Sequence, residues 1–138
     1  MLNLANQATE SGINLRAYAY NEFSVNANNY AYYQLLNSDF EGAEKSARRG
    51  LELNPNNVLL YTKLAPALLF QGKYEAAQKE FERVKTKHSY SDNGNNINRI
   101  IGYFKLYEEE KVIPAVHRQQ MEKIKIYLLE KTVKKEIN

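Results

Sequence analysis

The chain has no cysteine and no tryptophan, and in 138 residues it has only two histidines, three prolines and six glycines. Without cysteine there are no disulfides, no thiol catalysis, no iron–sulfur cluster and no thiolate zinc site. His88 and His117 are far apart and isolated, which gives no metal-ligand spacing. No run approaches the roughly 18 apolar residues that span a bilayer. The opening Met-Leu-Asn-Leu-Ala-Asn-Gln-Ala lacks the basic region and apolar core of a signal peptide. A chain of the cytoplasm is expected, or of the periplasm if it is part of a longer exported protein, and no membrane is expected. Nineteen Lys and Arg against sixteen Asp and Glu leave +3, too mild a balance to announce nucleic acid.

What is present reads as helix. The few Gly and Pro fall between apolar runs of helical period, a helix punctuation and not a sheet pattern. Seven helices are predicted: 3–15, 24–37, 40–53, 57–71, 74–87, 96–110 and 114–135. Pro55 biases Asn54 away from helical angles, and Asn56 or Asn57 can cap the helix that follows. Gly72 lets the chain reverse at Gln71-Gly72-Lys73. Residues 89–96, rich in Ser, Asp and Asn, read as the most loop-like stretch. Pro114 suits the first turn of the last helix, where its missing N–H costs nothing.

Candidates for chemistry do not assemble. His88 ends a helix beside Lys85 and Lys87, where the helix dipole favours cations, and His117 is expected to pack against its neighbours. Glu108, Glu109 and Glu110 are adjacent, so on a helix they point about 100° apart and cannot converge on one cleft as an acid–base pair. There is no Gly-rich phosphate loop and no nucleophile motif around a serine. No enzyme activity, cofactor or metal is expected. Residues 111–138 hold seven Lys and Arg against three Glu, net +4, while residues 1–110 carry −1. An RNA-binding or membrane-surface helix is one reading of that end. A terminal helix that packs Met121, Ile124 and Leu128 inward and keeps Lys outward is the favoured one. Of the eleven tyrosines, Tyr61, Tyr74, Tyr103 and Tyr107 occupy packing spacings. Tyr18, Tyr20, Tyr30, Tyr32 and Tyr33 cluster near the start as a candidate surface.

The chain also repeats itself. At offset 34, Tyr30-Ala31 falls on Leu64-Ala65, Phe40 on Tyr74, Ala43 on Ala77, Ala47 on Phe81 and Gly50 on Val84, without a gap. Ala5, Gly12, Ile13 and Leu15 echo Ala43, Gly50, Leu51 and Leu53 at offset 38, with the extra residues assigned to a loop around 16–23. Small residues recur where antiparallel helices must approach, with large ones beside them, and each pair has an apolar side that only a neighbouring pair can bury. Residues 58–87 resemble a tetratricopeptide repeat through Tyr61, Leu64, Ala65, Leu68, Gly72, Tyr74, Ala77, Phe81 and Val84. Residues 24–57 resemble a weaker copy through Ala31, Phe40, Ala43, Ala47, Gly50 and Pro55, departing at Ala27 and Ala47, where larger aromatic residues are usual.

The resemblance implies an all-α superhelix of antiparallel helix pairs, laid out as a half-repeat at 3–23, repeats at 24–57 and 58–91, and a capping helix pair at 92–138. The half-repeat either caps the array or has its mate in a longer array, the second being the expectation. The resemblance further implies a protein or peptide held on the concave face. The residues expected there are Val25, Asn28, Asn29, Tyr32 and Leu35, with Leu59, Thr62, Lys63, Pro66, Leu69 and Phe70. This set is too apolar for a carboxylate clamp, although Asn28 and Asn29 can hydrogen-bond an extended backbone. Pro66 removes one helical N–H, so a kink that opens the groove is weighed against simple tolerance. A groove filled by the chain's own last helix, or by a second copy in a homodimer, is the alternative.

Overall fold

The computed structural model describes residues 15–88 and 95–130, with side chains for 23–86 and 96–130. Within them the chain is all-helical: α1 Leu15–Leu36, α2 Phe40–Leu53, α3 Val58–Leu69, α4 Tyr74–Arg83, α5 Asn95–Glu109 and α6 Arg118–Leu129. The helices pack in chain order as a tetratricopeptide-like superhelix. None of the described helices is long and apolar enough to cross a membrane.

Three boundaries differ from the sequence reading. The loop expected at 16–23 is helix: α1 starts at Leu15 and runs through it. Leu15-Arg16-Ala17-Tyr18-Ala19-Tyr20-Asn21-Glu22 contains no Gly or Pro and begins with strong helix formers, so nothing stops it there. α4 ends at Arg83 and continues as a π turn over Val84–His88. The last helix opens as a 3₁₀ turn over Ala115–His117 behind an extended Pro114, and closes at Leu129, where Glu130 takes extended angles. The helix expected at 3–15 lies outside the described residues apart from its final position.

The turns show the repeat at atomic scale. The N–H of Asp39 bonds the Gln34 carbonyl (2.8 Å) and the N–H of Ser38 bonds that of Leu35 (3.0 Å). Thirty-four residues on, Lys73 bonds Leu68 (3.0 Å) and Gly72 bonds Leu69 (2.9 Å) in the same way. Both are Schellman turns, which need a left-handed residue just past the helix. Ser38 has φ 62° and Gly72 has φ 82°. The C-terminus of α5 repeats the pattern, with Val112 on Tyr107, Lys111 on Glu108 (both 3.1 Å) and Lys111 at φ 58°.

Asp39 caps α2 by accepting from the Gly42 N–H (3.0 Å), and Asn57 rather than Asn56 caps α3 by accepting from Leu59 (3.2 Å). Asn57 also donates to the Ser24 hydroxyl (3.0 Å), which fixes the start of α3 against α1. The repeat alanines Ala31, Ala43, Ala65 and Ala77 are all fully buried. Gly50 is where three helices close in. A Cβ there would lie 2.8 Å from Leu60 Cδ1 and 2.9 Å from the Ala27 methyl. α3 is the spine, with Thr62 through Phe70 buried without interruption. Pro66 sits inside that run and the helix passes through it unbroken.

α6 buries Met121, Ile124 and Leu128, the stripe read from the sequence, and leaves Ile126 and Leu129 exposed. Lys85 donates to the Tyr127 carbonyl, and Arg118 pairs with Glu108 of α5. His117 packs as expected: its Nδ1 is 2.6 Å from the Tyr74 hydroxyl, with the two rings edge to face. The side chain of His88 lies outside the described residues.

Candidate functional site

α1, α3 and α5 share one face of the superhelix, and Lys63 is its centre. The Lys63 Nζ lies 4.3 Å from the ring centre of Tyr103 on α5 and 5.9 Å from that of Tyr32 on α1. Tyr32 and Tyr103 meet each other at 5.6 Å, and Tyr103 stacks on Tyr107 at 6.3 Å. Nζ donates to the neighbouring Thr62 hydroxyl oxygen (3.2 Å), whose own proton goes to the Leu59 carbonyl (2.6 Å). Lys63 is 1 % exposed and makes no salt bridge among the described residues.

That environment decides its charge. Two ring faces stabilise an ammonium by about 0.5–2 kcal/mol each, whereas burying an ion without a counter-charge costs several kcal/mol. Burial therefore dominates, Arg99 adds like charge, and the Lys63 amine is brought down to about 7. Tyr107, fully buried, is pushed up by the same burial and by the neighbouring Tyr103 and Tyr32. Among the described residues its hydroxyl and the Asn28 Oδ1 have no hydrogen-bond partner.

The eleven residues assigned to this face divide into three groups. Leu35, Pro66, Leu69 and Phe70 are core. Phe70 joins three elements, its ring 5.2 Å from Phe40 of α2, 6.4 Å from Phe104 and 6.0 Å from Tyr107 of α5. Asn28, Thr62 and Lys63 are buried polar groups on the floor. Val25 and Asn29 are exposed, and Tyr32 and Leu59 are half-buried, so these four still reach solvent.

Around that floor stand residues the sequence reading did not place there, all from α5: Tyr103 against Lys63, Phe104 and Tyr107 against Phe70, and Arg99 close enough to act on the Lys63 amine. α5 was expected as part of a terminal cap. α5 stands beside α3 on this face and brings Tyr103 against Lys63. Its Phe104 packs on both Phe70 and Phe81 (6.0 Å). The signal was faint because, aligned on the shared turn, Phe104 stands where α3 has Ala65 and Lys111 where it has Gly72.

A second concavity lies at the start of the array. A cleft of about 390 Å³ between α1 and α2 is lined by Phe23, Asn26, Ala27, Tyr30, Ser46 and Arg49. The Arg49 guanidinium stands 5.6 Å from the centre of the Phe23 ring. Tyr30 and Tyr33 are 62 % and 60 % exposed, although Tyr30 aligns with the buried Leu64. No group of three or more His, Asp or Glu that could hold a metal occurs among the described residues.

Residues 47–79 match the family model described as tetratricopeptide repeat, a stretch from the middle of α2 through α3 into α4. Comparison with curated proteins and with solved structures returns no match.

Proposed function

Because the chain carries a tetratricopeptide repeat at residues 47–79, we propose that it is a protein–protein interaction scaffold which engages a peptide or a partner domain on the α1–α3–α5 face. Such repeats are generally non-catalytic, and the chemistry of this face is contact. The observation that carries the reading is a floor of buried polar groups, Asn28, Thr62 and Lys63, edged by side chains that still reach solvent. Val25 and Asn29 are the accessible contacts, Asn29 offering both a donor and an acceptor to an extended backbone, with Tyr32 and Leu59 as the half-buried apolar edge.

The test is selection of peptides from a random displayed library on the full chain, followed by affinity measurement against Val25→Arg and Asn29→Arg. Both positions are exposed, so folding is spared. The reading expects at least a tenfold loss in one or both variants. Unchanged affinity in both would move the partner surface elsewhere, the α1–α2 cleft being the next place to map.

A structural role is the second reading, and the rings of Tyr103, Phe104 and Tyr107 seated on the same face favour it. Here the face is consumed by the chain's own α5, and assembly uses other surfaces. Sedimentation of the full chain separates the two: a stable dimer that selects no peptide supports the structural role.

A further inference from the structure

We propose that Lys63 is a proton-operated latch for α5: while its amine is uncharged Tyr32 and Tyr103 close over it, and protonation releases α5 and uncovers the inner face. The latch deepens the scaffold reading, because the face it controls is the one assigned to the partner.

The geometry carries it. Helices from three successive parts of the chain converge on one nitrogen, contributing Tyr32 from α1, Lys63 itself from α3 and Tyr103 from α5. The titratable and charged groups around it are Tyr32 from α1 and Arg99, Tyr103 and Tyr107 from α5, with Glu110 near Tyr32. Glu110 acts on Tyr32, but Lys63 makes no ion pair with it or with any other carboxylate among the described residues. Arg99 belongs to the same helix as Tyr103 and is anchored there by donating to the Asn96 side chain (2.7 Å). A proton on Lys63 therefore sets like charge against α5 and places an ion in a site closed to water. Moving α5 outward relieves both penalties at once, against the aromatic contacts that seat Phe104 and Tyr107 on Phe70 and Phe81. α3 is buried from Thr62 onward, and α1 is tied to the start of α3 through Ser24 and Asn57. The ring faces of Tyr32 and Tyr103 oppose the release, but burial outweighs them, and the amine titrates at about 7. The latch thus operates around neutrality.

Proton linkage sets the size of the effect. A group that titrates near 7 when closed and at the ordinary lysine value when open shifts the opening equilibrium about tenfold between pH 8 and pH 6. Amide hydrogen exchange of the full chain at those two pH values, each rate divided by its intrinsic rate, reads it directly. Protection over residues 98–109 of α5 is expected to fall about tenfold at pH 6 while residues 43–53 of α2 keep theirs. Lys63→Met and Lys63→Gln, two uncharged replacements, are expected to hold α5 equally protected at both pH values. Either replacement suffices if the other fails to fold. Equal protection in the native chain overturns the latch. So does the same pH-dependent loss in the uncharged variants, which assigns it to another group, and so does parallel loss in α2, which is unfolding of the whole chain. No partner enters this experiment, so its failure leaves the scaffold reading standing, and a failed peptide selection leaves the latch standing.

Discussion

Ser38 and Gly72 occupy the same place in two copies of one turn, yet only one of them suits it. Both lie in the left-handed region, at φ 62° and 82°. A Cβ makes that conformation cost about 1 kcal/mol, which glycine avoids. Ser38→Gly is therefore expected to stabilise the chain by about 0.5–1 kcal/mol. Gly72→Ala should destabilise it by more than that, because the new methyl would also stand 3.0 Å from the His117 Cε1. Thermal or urea melts of the two variants check the opposite signs. A substitution at one end of the offset that stabilises and at the other that destabilises follows from shared backbone geometry, and side-chain contacts alone would not produce it. At this scale the sequence was readable wherever one residue acts alone, as Gly72 and the Asn57 cap do. The left-handed Ser38 was unreadable because its conformation is imposed by the turn around it.

Between elements, Glu44 on α2 is the centre of a polar cluster. Its carboxylate accepts from Arg48 of the same helix and from Lys73 beyond the turn (both 2.8 Å), and from Gln71 (2.9 Å). Gln71 also donates to the carbonyls of Phe40 (3.3 Å) and Ala67 (2.9 Å), so one cluster clamps α2 to the end of α3 and the start of α4. Burial alone would raise the carboxyl, but the hydrogen bonds from Lys73, Arg48 and Gln71 outweigh it and bring Glu44 down to about 2. A lowered carboxylate contributes stability that is fully present above about 4.5 and is lost as pH falls toward 2. Lys73 and Arg48 are about half exposed, so solvent screening limits the gain. Glu44→Gln is expected to cost about 1 kcal/mol at neutral pH, with the gap to the native chain closing between pH 4.5 and pH 2 in urea titrations. The element list was legible because apolar period, Asn-Pro and Gly mark helix interiors and ends. Boundaries were missed where composition carries no breaker, as at residues 15–22, and where the helix changes hydrogen-bonding register, as at Val84–His88.

For the molecule as a whole, Phe70 decides whether the chain melts as one unit. Arrays of helix pairs hold together through contacts between neighbours, so their cooperativity depends on the few side chains that touch more than one neighbour. Phe70, at the end of α3, meets Phe40 of α2 on one side and Phe104 and Tyr107 of α5 on the other. It is one aromatic link from the matched repeat to the later helices, beside Tyr74 on His117. The inner face was only half legible for the same reason. Residue types on α1 and α3 singled out Asn28, Thr62 and Lys63, whereas the approach of Tyr103 from α5 to Lys63 is a long-range arrangement that no local spacing records. Removing the ring, as Phe70→Ala, is expected to cost about 3–5 kcal/mol and to do so unevenly. α5 loses the ring that seats Phe104 and Tyr107, keeping only Phe81 against Phe104, while α1, α2 and the first turns of α3 keep Ala31, Leu35, Ala43, Ala47 and Leu60 in the core. Exchange protection should then drop first over 95–129 at denaturant concentrations where 40–53 remains protected, and the urea transition should broaden as two-state behaviour fails. A sharp single transition in Phe70→Ala, shifted but not broadened, would mean that the coupling runs through the α4–α6 contacts instead, with Tyr74 and His117 as the next pair to remove.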